Sequence, residues 1–238
     1  MPFLTARWSN LVLVTYSVPP ELLQHRLPDE LELDTRGGRA FVSLVGFEFL
    51  RTRVLGVPWP GYRNFPEINL RFYVHRKDTG ERGVMFVKEF VPKRLVAWIA
   101  RSVYNEPYDA VRMLHVVRRI DETRIAADYM MHVGGRWHAV SAIGGLATTC
   151  PAETSDEHFF KEHRWGFGRG RDGRCIRYEV THPTWNCHSV DWWAVDLDWA
   201  AVYGPEWRVL QDAQPCSVIL AEGSAVRVLA KRAVDRRA

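Results

Sequence analysis

The chain has 238 residues, of which 47% are hydrophobic and 25% are charged, and its net charge is +4. This length allows a substantial hydrophobic core, and the composition argues against extensive disorder. So mild a charge also argues against nucleic-acid binding, and the densest basic group, GRGRDGRCIR at 168–177, is better interpreted as a solvated loop.

The N-terminal region and the cysteines indicate the compartment. The brief apolar run from Leu11 to Val14 is too short for a signal peptide or a membrane span, so we expect a cytoplasmic protein without membrane contact. The four cysteines lie far apart, without a CxxC pair, and we expect reduced, buried thiols. His182, Cys187 and His188 form the best local cluster, but no second ligand pair accompanies them, so no metal site is predicted.

Strand patterns dominate the first half of the chain. Residues 10–18 and 40–49 are predicted as strands, with a short helix at 19–28 that begins at two prolines. Residues 67–76 and 83–91 flank a short polar link and predict a hairpin. A helix from about Pro92 to Tyr104 is predicted next.

The second half of the chain continues in the same way. Strands are predicted near 111–120, 124–133 and 136–146, with DET and GG as tight turns between them. A short helix is predicted in TSDEHFFKEHR, where Thr154 and Glu157 have the spacing of a capping box. Strands at 174–181 and 190–197 and a final hairpin about Glu222–Gly223 complete the pattern. Many short strands with few helices predict a mostly β (α+β) chain, a barrel or sandwich, as one domain over 1–238.

One predicted strand, EINLRFYVH, has two distinct faces. Strand side chains alternate, so an apolar set and a polar set separate: Ile68, Leu70, Phe72 and Val74 against Glu67, Asn69, Arg71, Tyr73 and His75. An ordinary sheet with one solvated face is the simpler interpretation. The mixture of carboxylate, amide, guanidinium, phenol and imidazole also fits a hydrogen-bonded array inside a barrel.

The next strand of the hairpin contributes either Glu89 or Lys88 to this polar face, depending on a one-residue choice of register. Glu89 would give Arg71 a carboxylate partner, whereas Lys88 would bring two positive charges together. The charges therefore favour Glu89 on the polar face.

Lys93 follows this hairpin and would be the second residue of the predicted helix. The helix amides and Arg94 would both disfavour the charged ammonium. A lysine in such surroundings can attack a carbonyl and form a Schiff base. The alternative is a pair of exposed cations, Lys93 and Arg94, whose stems cover the edge of the sheet.

Several segments carry a resemblance to known families. FVKEFVPKRLVA (86–97) resembles the segment around the reactive lysine of acetoacetate decarboxylases, enzymes in which a neighbouring cation activates that lysine. More broadly, the chain resembles the YqjF-like group of uncharacterised conserved proteins, relatives of that superfamily. The segments that carry this likeness are VPPELLQHRLP (18–28), FPEINLRFYV (65–74), ARSVYNEPY (100–108) and YEVTHPTW (178–185).

The resemblance implies a closed, strongly curved antiparallel β-barrel of acetoacetate decarboxylase-like type, with a central cavity and a few short helices. It implies that Lys93 lies where the decarboxylase nucleophile lies, and that Glu67 and Glu89 match acidic residues of that family. Arg94 stands where the family has a second lysine, and the family's glycine-containing approach to the lysine is absent here.

Two further motifs hold candidate residues. YNEPY offers Tyr104, Glu106 and Tyr108 at the end of the predicted helix, either lining a cavity or packing an irregular helix exit. His182 in THPTW is a candidate general base or a structural histidine bonded to backbone.

The resulting hypothesis is a lyase or decarboxylase, without an added cofactor, that acts on a small oxo acid or related carbonyl compound. Lys93 would form the imine with Arg94 beside it, and Glu67 and Glu89 would orient the substrate or move protons. Arg71 would pair with a substrate carboxylate or with Glu89. The other candidate binding residues are Asn69, Tyr73, Tyr104, Glu106, Tyr108 and His182.

Two other classes of function fit the sequence. The first is a non-catalytic barrel that binds a small apolar or carboxylated ligand. The second, less favoured, is a partner-binding module that uses exposed tryptophans such as Trp192 and Trp193. The expected partner is a small molecule, and a homo-oligomer is compatible with the sequence.

Overall fold

The computed structural model describes residues 1–234, except for the side chain of Tyr104, and consists mainly of β-structure. The strands are β1 (Leu4–Val18), β2 (Leu31–Leu33), β3 (Ala40–Val54), β4 (Phe65–Arg76), β5 (Arg82–Val91), β6 (Tyr108–Ala110), β7 (Arg112–Arg119), β8 (Arg124–Val133), β9 (Arg136–Thr149), β10 (Trp165–Arg169), β11 (Cys175–Thr181), β12 (Cys187–Asp196), β13 (Ser217–Val228) and β14 (Arg232–Ala233). The α-helices are α1 (Glu21–Gln24), α2 (Arg94–Ile99), α3 (Asp156–Lys161) and α4 (Trp199–Tyr203). A π-helical segment, Ala100–Tyr104, continues α2, and a 3₁₀ helix, Pro205–Leu210, follows α4. None of the helices in this part of the chain combines the length and apolarity needed to cross a bilayer.

Seven of these strands close into a ring. The strand order is β14-β11-β10-β5-β4-β3-β1-β13-β12-β9-β8-β7, and an additional pairing of β11 with β13 joins the two ends of the run from β11 to β13. Most neighbours are antiparallel, but β10 and β6 each pair with β5 in parallel. The mostly β fold with a curved, closed sheet is thus confirmed, with two parallel pairings that were not expected.

Both faces of β4 are buried, which the sequence pattern alone did not decide. The apolar side chains Ile68, Leu70, Phe72 and Val74 belong to one core cluster, together with residues of β8, β9 and α4. The polar side chains of Glu67, Asn69, Arg71 and Tyr73 lie on the opposite face and are buried, whereas His75, near the end of the strand, is partly exposed beside Glu32. The interpretation of the polar face as a solvated sheet surface is therefore wrong, because the ring encloses it.

The predicted hairpin β4–β5 and the meander β7–β8–β9 are confirmed. The final hairpin at Glu222–Gly223 is wrong, because β13 runs without a turn and pairs with β1 from Ser217 to Val228. Gly223 has a φ of +72°, and a Cβ there would lie 2.1 Å from the Trp8 carbonyl oxygen. This glycine marks a close approach between two strands rather than a turn.

Helix α3 is present, but its cap differs from the prediction. Ser155, not Thr154, is the N-cap, and its hydroxyl accepts a 3.1 Å hydrogen bond from the backbone N–H of His158. The expectation of buried thiols holds for Cys175 and Cys187 and is wrong for Cys150 and Cys216, which are free but exposed. Those two lie just outside the ends of β9 and β13, where the chain leaves the sheet.

Candidate functional site

The larger cavity of the ring, here called the outer cavity, has a volume of about 470 Å³ and a mainly apolar wall. Its apolar wall includes Trp8, Phe49, Phe65, Leu95, Val96 and Ile99, contributed by β1, β3, β4 and α2. Trp59 and Tyr62, from the loop between β3 and β4, also line it. Such a wall is typical of a small-molecule site, in which a few polar groups fix the orientation of the ligand.

Those few polar groups of the outer cavity are mainly acidic and phenolic. Glu67, Glu106, Tyr108 and Tyr178 all line it. The side chains come from β4, from the turn before β6, from β6 and from β11, so the site exists only once the ring has closed.

Glu67 has hydrogen-bond donors on both of its carboxyl oxygens. It is 2% exposed, accepts a 2.9 Å hydrogen bond from Asn69 Nδ2 on Oε1, and accepts a 2.8 Å hydrogen bond from the Tyr108 hydroxyl on Oε2. Burial raises the pKa of Glu67 to about 7, although these two hydrogen bonds oppose the shift. The carboxyl can therefore both give and take a proton near neutral pH.

Glu106 and Glu89 are also buried carboxyls with a raised pKa. Burial raises the pKa of Glu106 to about 8, with a hydrogen bond to Tyr178 acting against the shift. Burial, reinforced by the charges of Glu106 and Glu67, raises the pKa of Glu89 well above its ordinary value. Three carboxyl groups that repel one another in a dry site cannot all ionise at pH 7.

Strand pairing explains why these side chains meet. Asn69 lies directly opposite Glu89 on β5, and Glu89 lies opposite Tyr108 on β6. Glu67 precedes Asn69 by two residues and so shares its face. Glu106 follows Asn105, whose left-handed φ of +55° ends the π-helical segment and turns the chain toward the ring.

A second cavity, here called the inner cavity, has a volume of about 80 Å³ and shares Trp8, Phe49, Glu67, Tyr108 and Tyr178 with the outer one. Its polar wall also includes Asn69, Arg71, Glu89, Lys161, His163 and His182. Glu89 thus faces the cavities, as the charge argument favoured, while Lys88 pairs with Asp109 at 3.0 Å. Nowhere in residues 1–234 are three His, Cys, Asp or Glu side chains grouped so that they could hold a metal ion.

Arg71 does not pair with Glu89, contrary to the expected ion pair. The guanidinium donates instead to the Phe160 carbonyl at 2.9 Å. The reason is a β-bulge between β4 and β5, which places Phe86 rather than Val87 opposite Arg71. Arg71 and Glu89 therefore lie on the two sides of the irregularity.

Lys93 lies two positions earlier relative to the helix than predicted, as the N-cap rather than the second helical residue. Helix α2 begins at Arg94, and Lys93 is its N-cap with an extended backbone. The Lys93 side chain is half-buried, with Nζ 5.8 Å from the centroid of the Tyr62 ring, whereas Arg94 is exposed. Tyr62 lines the outer cavity, but neither Lys93 nor Arg94 is part of either cavity wall.

The remaining candidates are divided between the cavities and the surrounding core. Tyr73 is buried outside both cavities, where its hydroxyl is bonded to Ser43. His182 borders the inner cavity, its Nδ1 donates to the Pro183 carbonyl at 2.9 Å, and its ring stacks on Trp185. Burial lowers the pKa of His182. Tyr104 lies in the π-helical segment, and its side chain is outside the described part of the chain.

Sequence reasoning missed Tyr178, Lys161 and His163. Tyr178 lies inside a segment that carries the family resemblance, YEVTHPTW, which was the available signal. Lys161 and His163 follow Phe160 at the end of α3, where the pattern predicted only a short helix. Nothing in the local spacing indicates that this segment turns back into the ring.

The ring of strands with its interior cavity defines the class of protein. Solved structures of acetoacetate decarboxylase-like proteins share the fold. For the acetoacetate decarboxylase of Legionella pneumophila subsp. pneumophila str. Philadelphia 1 the TM-score is 0.68 at 14% identity, covering 99% of this chain and 88% of that one. For an acetoacetate decarboxylase-like enzyme from Sphingomonas wittichii RW1 it is 0.69 at 11% identity, covering 99% and 94%. The enduracididine biosynthesis enzyme MppR complexed with pyruvate gives 0.66 at 15% identity, covering 99% and 91%. At these identities the likeness concerns the fold.

The sequence assigns the chain more narrowly. It belongs to the DUF2071 family, described as "Uncharacterized conserved protein (COG2071)", whose model matches residues 5–225. It is 38% identical over 103 residues to the uncharacterized protein YqjF of Bacillus subtilis (strain 168), a match that covers 42% of this chain and 41% of that protein. The aligned part thus spans less than half of the relative's length.

Proposed function

We propose that this chain is an enzyme that acts on a small oxo acid or related carbonyl compound, without an added cofactor, by breaking a C–C or C–H bond next to the carbonyl. The observation that carries the proposal is the group of three buried carboxyls, Glu67, Glu89 and Glu106, at the junction of an apolar outer cavity and a polar inner one. An apolar wall excludes water and strengthens the electrostatic effect of each polar group on a bound carbonyl.

The carboxyls have a defined part in this proposal. A protonated Glu106 or Glu89 donates a hydrogen bond to the carbonyl oxygen, and ionised Glu67 accepts a proton from the adjacent carbon or returns it. A general acid and a general base work best when their pKa values lie near the operating pH, and the pKa of Glu67, about 7, and of Glu106, about 8, meet this condition. Tyr108 holds Glu67 in place.

The Schiff-base route is the covalent form of the same proposal. The neutral Lys93 amine adds to the substrate carbonyl and water leaves, giving an imine. Once protonated, the imine accepts the electron pair of the breaking C–C or C–H bond, carbon dioxide or a proton departs, and the resulting enamine is protonated and hydrolysed. The route requires the Lys93 side chain to turn past Tyr62 into the outer cavity, with Arg94 as the neighbouring cation. The pyruvate bound to MppR supports an oxo acid as the class of substrate.

Borohydride trapping tests this proposal. The protein is incubated with a panel of 2-oxo and 3-oxo acids, reduced with sodium borohydride and measured by intact mass. We expect an adduct with at least one acid in the wild type and in Lys88→Ala, and none in Lys93→Ala. Lys88 is the matched control because it lies five residues away and is already paired with Asp109. Absence of any adduct across the panel would contradict the Schiff-base route.

A non-catalytic binding protein is the second candidate, and one observation favours it. Lys93 is not part of either cavity wall, while the outer cavity offers an apolar wall with tryptophans. Trp8 and Trp59 line this cavity, so ligand binding will change tryptophan fluorescence. Saturable fluorescence quenching by a compound that is neither trapped nor converted identifies this second function.

A further inference from the structure

Two arginines of β4 differ in one respect that matters for ligand binding. Arg71 and Arg76 are equally buried, each 8% exposed. Arg76 has two carboxylate partners, Asp78 at 2.5 Å and Glu81 at 3.1 Å. Within residues 1–234, by contrast, no carboxylate forms an ion pair with Arg71. The Arg71 guanidinium donates to the Phe160 backbone carbonyl, and in the described part of the chain its Nε is buried without a hydrogen-bond partner.

An arginine side chain stays charged under all conditions that proteins tolerate, so loss of a proton cannot reduce the free-energy cost of burying Arg71. A buried charge is normally paired, because transfer from water without a partner is costly. The inner cavity, whose wall includes Arg71, therefore holds a positive charge that the surrounding protein has not neutralised.

The other side chains of the inner cavity do not supply the missing negative charge. Lys161, a second buried cation in this wall, is already matched by Glu162 at 2.5 Å. Glu67 uses both of its oxygens for Asn69 and Tyr108. Glu89 is the remaining carboxyl of the wall, and burial together with the neighbouring Glu106 and Glu67 disfavours its ionised form.

Unused hydrogen-bonding atoms accompany this charge. Among the residues that the structure describes, both ring nitrogens of His163 are buried without a hydrogen-bond partner, as are Asn69 Oδ1 and Glu89 Oε2. One ring nitrogen of a neutral histidine carries a proton, and a protonated Glu89 carries another. The wall thus offers unused donors from Arg71, His163 and Glu89, a combination suited to an oxyanion.

We infer that the inner cavity binds a small monovalent carboxylate, with Arg71 as its anchor and His163 as a second donor. A volume of about 80 Å³ admits a carboxylate group and the carbon attached to it but no long chain. The inference rests on the proposed function in taking this anion to be the carboxylate of the substrate. The substrate carbonyl then lies at Glu67 and Tyr108, which belong to both cavity walls, and the apolar remainder lies in the outer cavity. The substrate class is accordingly a 2-oxo or 3-oxo acid with an apolar substituent.

Thermal unfolding in sodium formate tests the site. Formate is compared with sodium chloride at equal ionic strength for the wild type, Arg71→Gln and Arg76→Gln. A ligand that binds the folded state raises Tm with increasing concentration. We expect a formate-dependent rise in Tm for the wild type and for Arg76→Gln, and none beyond the chloride effect for Arg71→Gln. An equal response of the wild type to formate and chloride, or a retained response in Arg71→Gln, would overturn the inference.

A second measurement covers the case in which Arg71→Gln does not fold. The line width of ¹³C-formate is measured with the wild-type protein and with Arg71→Lys, which keeps the charge but loses the fork of donors. We expect broadening by the wild type, competition by a 2-oxo acid, and at least tenfold weaker binding by Arg71→Lys. Equal binding by the two proteins, or no broadening by the wild type, speaks against the site.

The source of the carboxylate is distinguished by pairing each oxo acid with its neutral amide. Competition with formate by the acid but not by the amide identifies the substrate carboxylate as the occupant. Formate binding without competition by any oxo acid shows a site for free small anions and overturns the substrate assignment.

The formate and borohydride experiments together distinguish failure of the proposed function from failure of the anion site. Formate binding without any borohydride adduct leaves the anion site in place and removes the Schiff-base route. Equal trapping of acids and amides, with no response to formate, keeps the route and removes the anion site.

Discussion

The hydroxyl of Tyr108 donates a 2.8 Å hydrogen bond to Glu67 Oε2, joining β6 to β4 across 41 residues of sequence. Asn69 donates to the other oxygen of the same carboxyl. These two donors are what keep the pKa of Glu67 near 7 rather than higher, because burial alone disfavours the ionised form. The protonation state of Glu67 is therefore set by neighbours that were brought together by the fold.

Tyr108→Phe removes one of these donors, and we predict two effects. The pKa of Glu67 rises above about 7, and the free energy of unfolding at pH 8 falls by about 1–3 kcal/mol, because an ionised oxygen loses its partner. Carboxyl-selective ¹³C NMR and urea unfolding measure the two effects. Tyr203→Phe is the control, since the Tyr203 hydroxyl is buried without a partner and its loss should cost nothing. Equal effects of the two substitutions would refute the role given to Tyr108.

The raised pKa of Glu106 makes the stability of the protein depend on pH. The folded carboxyl keeps its proton up to about pH 8, whereas the unfolded one releases it near 4.5, so the stability that it contributes is present below pH 4.5 and lost as the pH rises through 8. We predict that Glu106→Gln is more stable than the wild type at pH 9 by on the order of 2–4 kcal/mol, with little difference at pH 4. Urea unfolding across this range measures it.

Glu48 is the matched control for the sign of this effect. Burial would raise its pKa, but hydrogen bonds from His115 and Asn10 prevail and hold the pKa of Glu48 below its ordinary value. Its contribution to stability is lost as the pH falls, so Glu48→Gln should destabilise the protein more at pH 7 than at pH 3. The same direction of change for Glu48→Gln and Glu106→Gln would contradict the assignment.

Gly223, the glycine of β13, is predicted to tolerate replacement poorly. In Gly223→Ala the new Cβ meets the Trp8 carbonyl at 2.1 Å and the backbone has a φ of +72°. Gly173→Ala is the control, because its φ is +79° but its Cβ meets no atom within 4 Å. We expect about 1–2 kcal/mol of destabilisation for Gly173→Ala, from the left-handed backbone alone, and clearly more for Gly223→Ala. Differential scanning calorimetry gives the comparison.

The N-cap of α3 is tested by two adjacent substitutions. Ser155→Ala removes the side-chain acceptor of the His158 N–H and should lower the free energy of unfolding by about 1 kcal/mol. Thr154→Ala should have little effect, since the Thr154 group that bonds Arg36 is its backbone carbonyl. A larger effect for Thr154→Ala than for Ser155→Ala, measured by urea unfolding, would instead support the predicted capping box of Thr154 and Glu157.

Much of the site follows from strand alternation and charge. The two faces of β4 were predicted from a period of two, and the place of Glu89 on the polar face from charge alone, although its expected partner was wrong. That partner depended on a bulge, which shifts pairing by one residue and leaves no mark in the alternation of β4.

The part that could not be predicted depends on how distant segments meet. Tyr178 reaches the site because β11 closes the ring onto β13, and Lys161 and His163 because the chain turns inward after α3. The orientation of Lys93 was missed for a local reason. An N-cap residue has an extended backbone and an N2 residue a helical one, so an error of two residues at the helix start redirects the side chain.

The bulge in β5 shifts the inward–outward alternation of side chains between the two halves of that strand. Glu89 lies on one side of the bulge, and Phe86 and Val84 lie on the other, yet all three line the inner cavity. Phe86 and Val84 are three and five residues from Glu89, whereas residues on one face of a regular strand are separated by even numbers. Residues on the hairpin side of the bulge, such as Val84 and Phe86, can therefore be replaced by side chains of other sizes while Glu89 stays opposite Asn69 and Tyr108. Deletion of the single extra residue, Val87, would place Phe86 two residues from Glu89, so a regular strand could keep both halves on their present faces. The inserted residue is thus what lets an odd spacing serve one cavity.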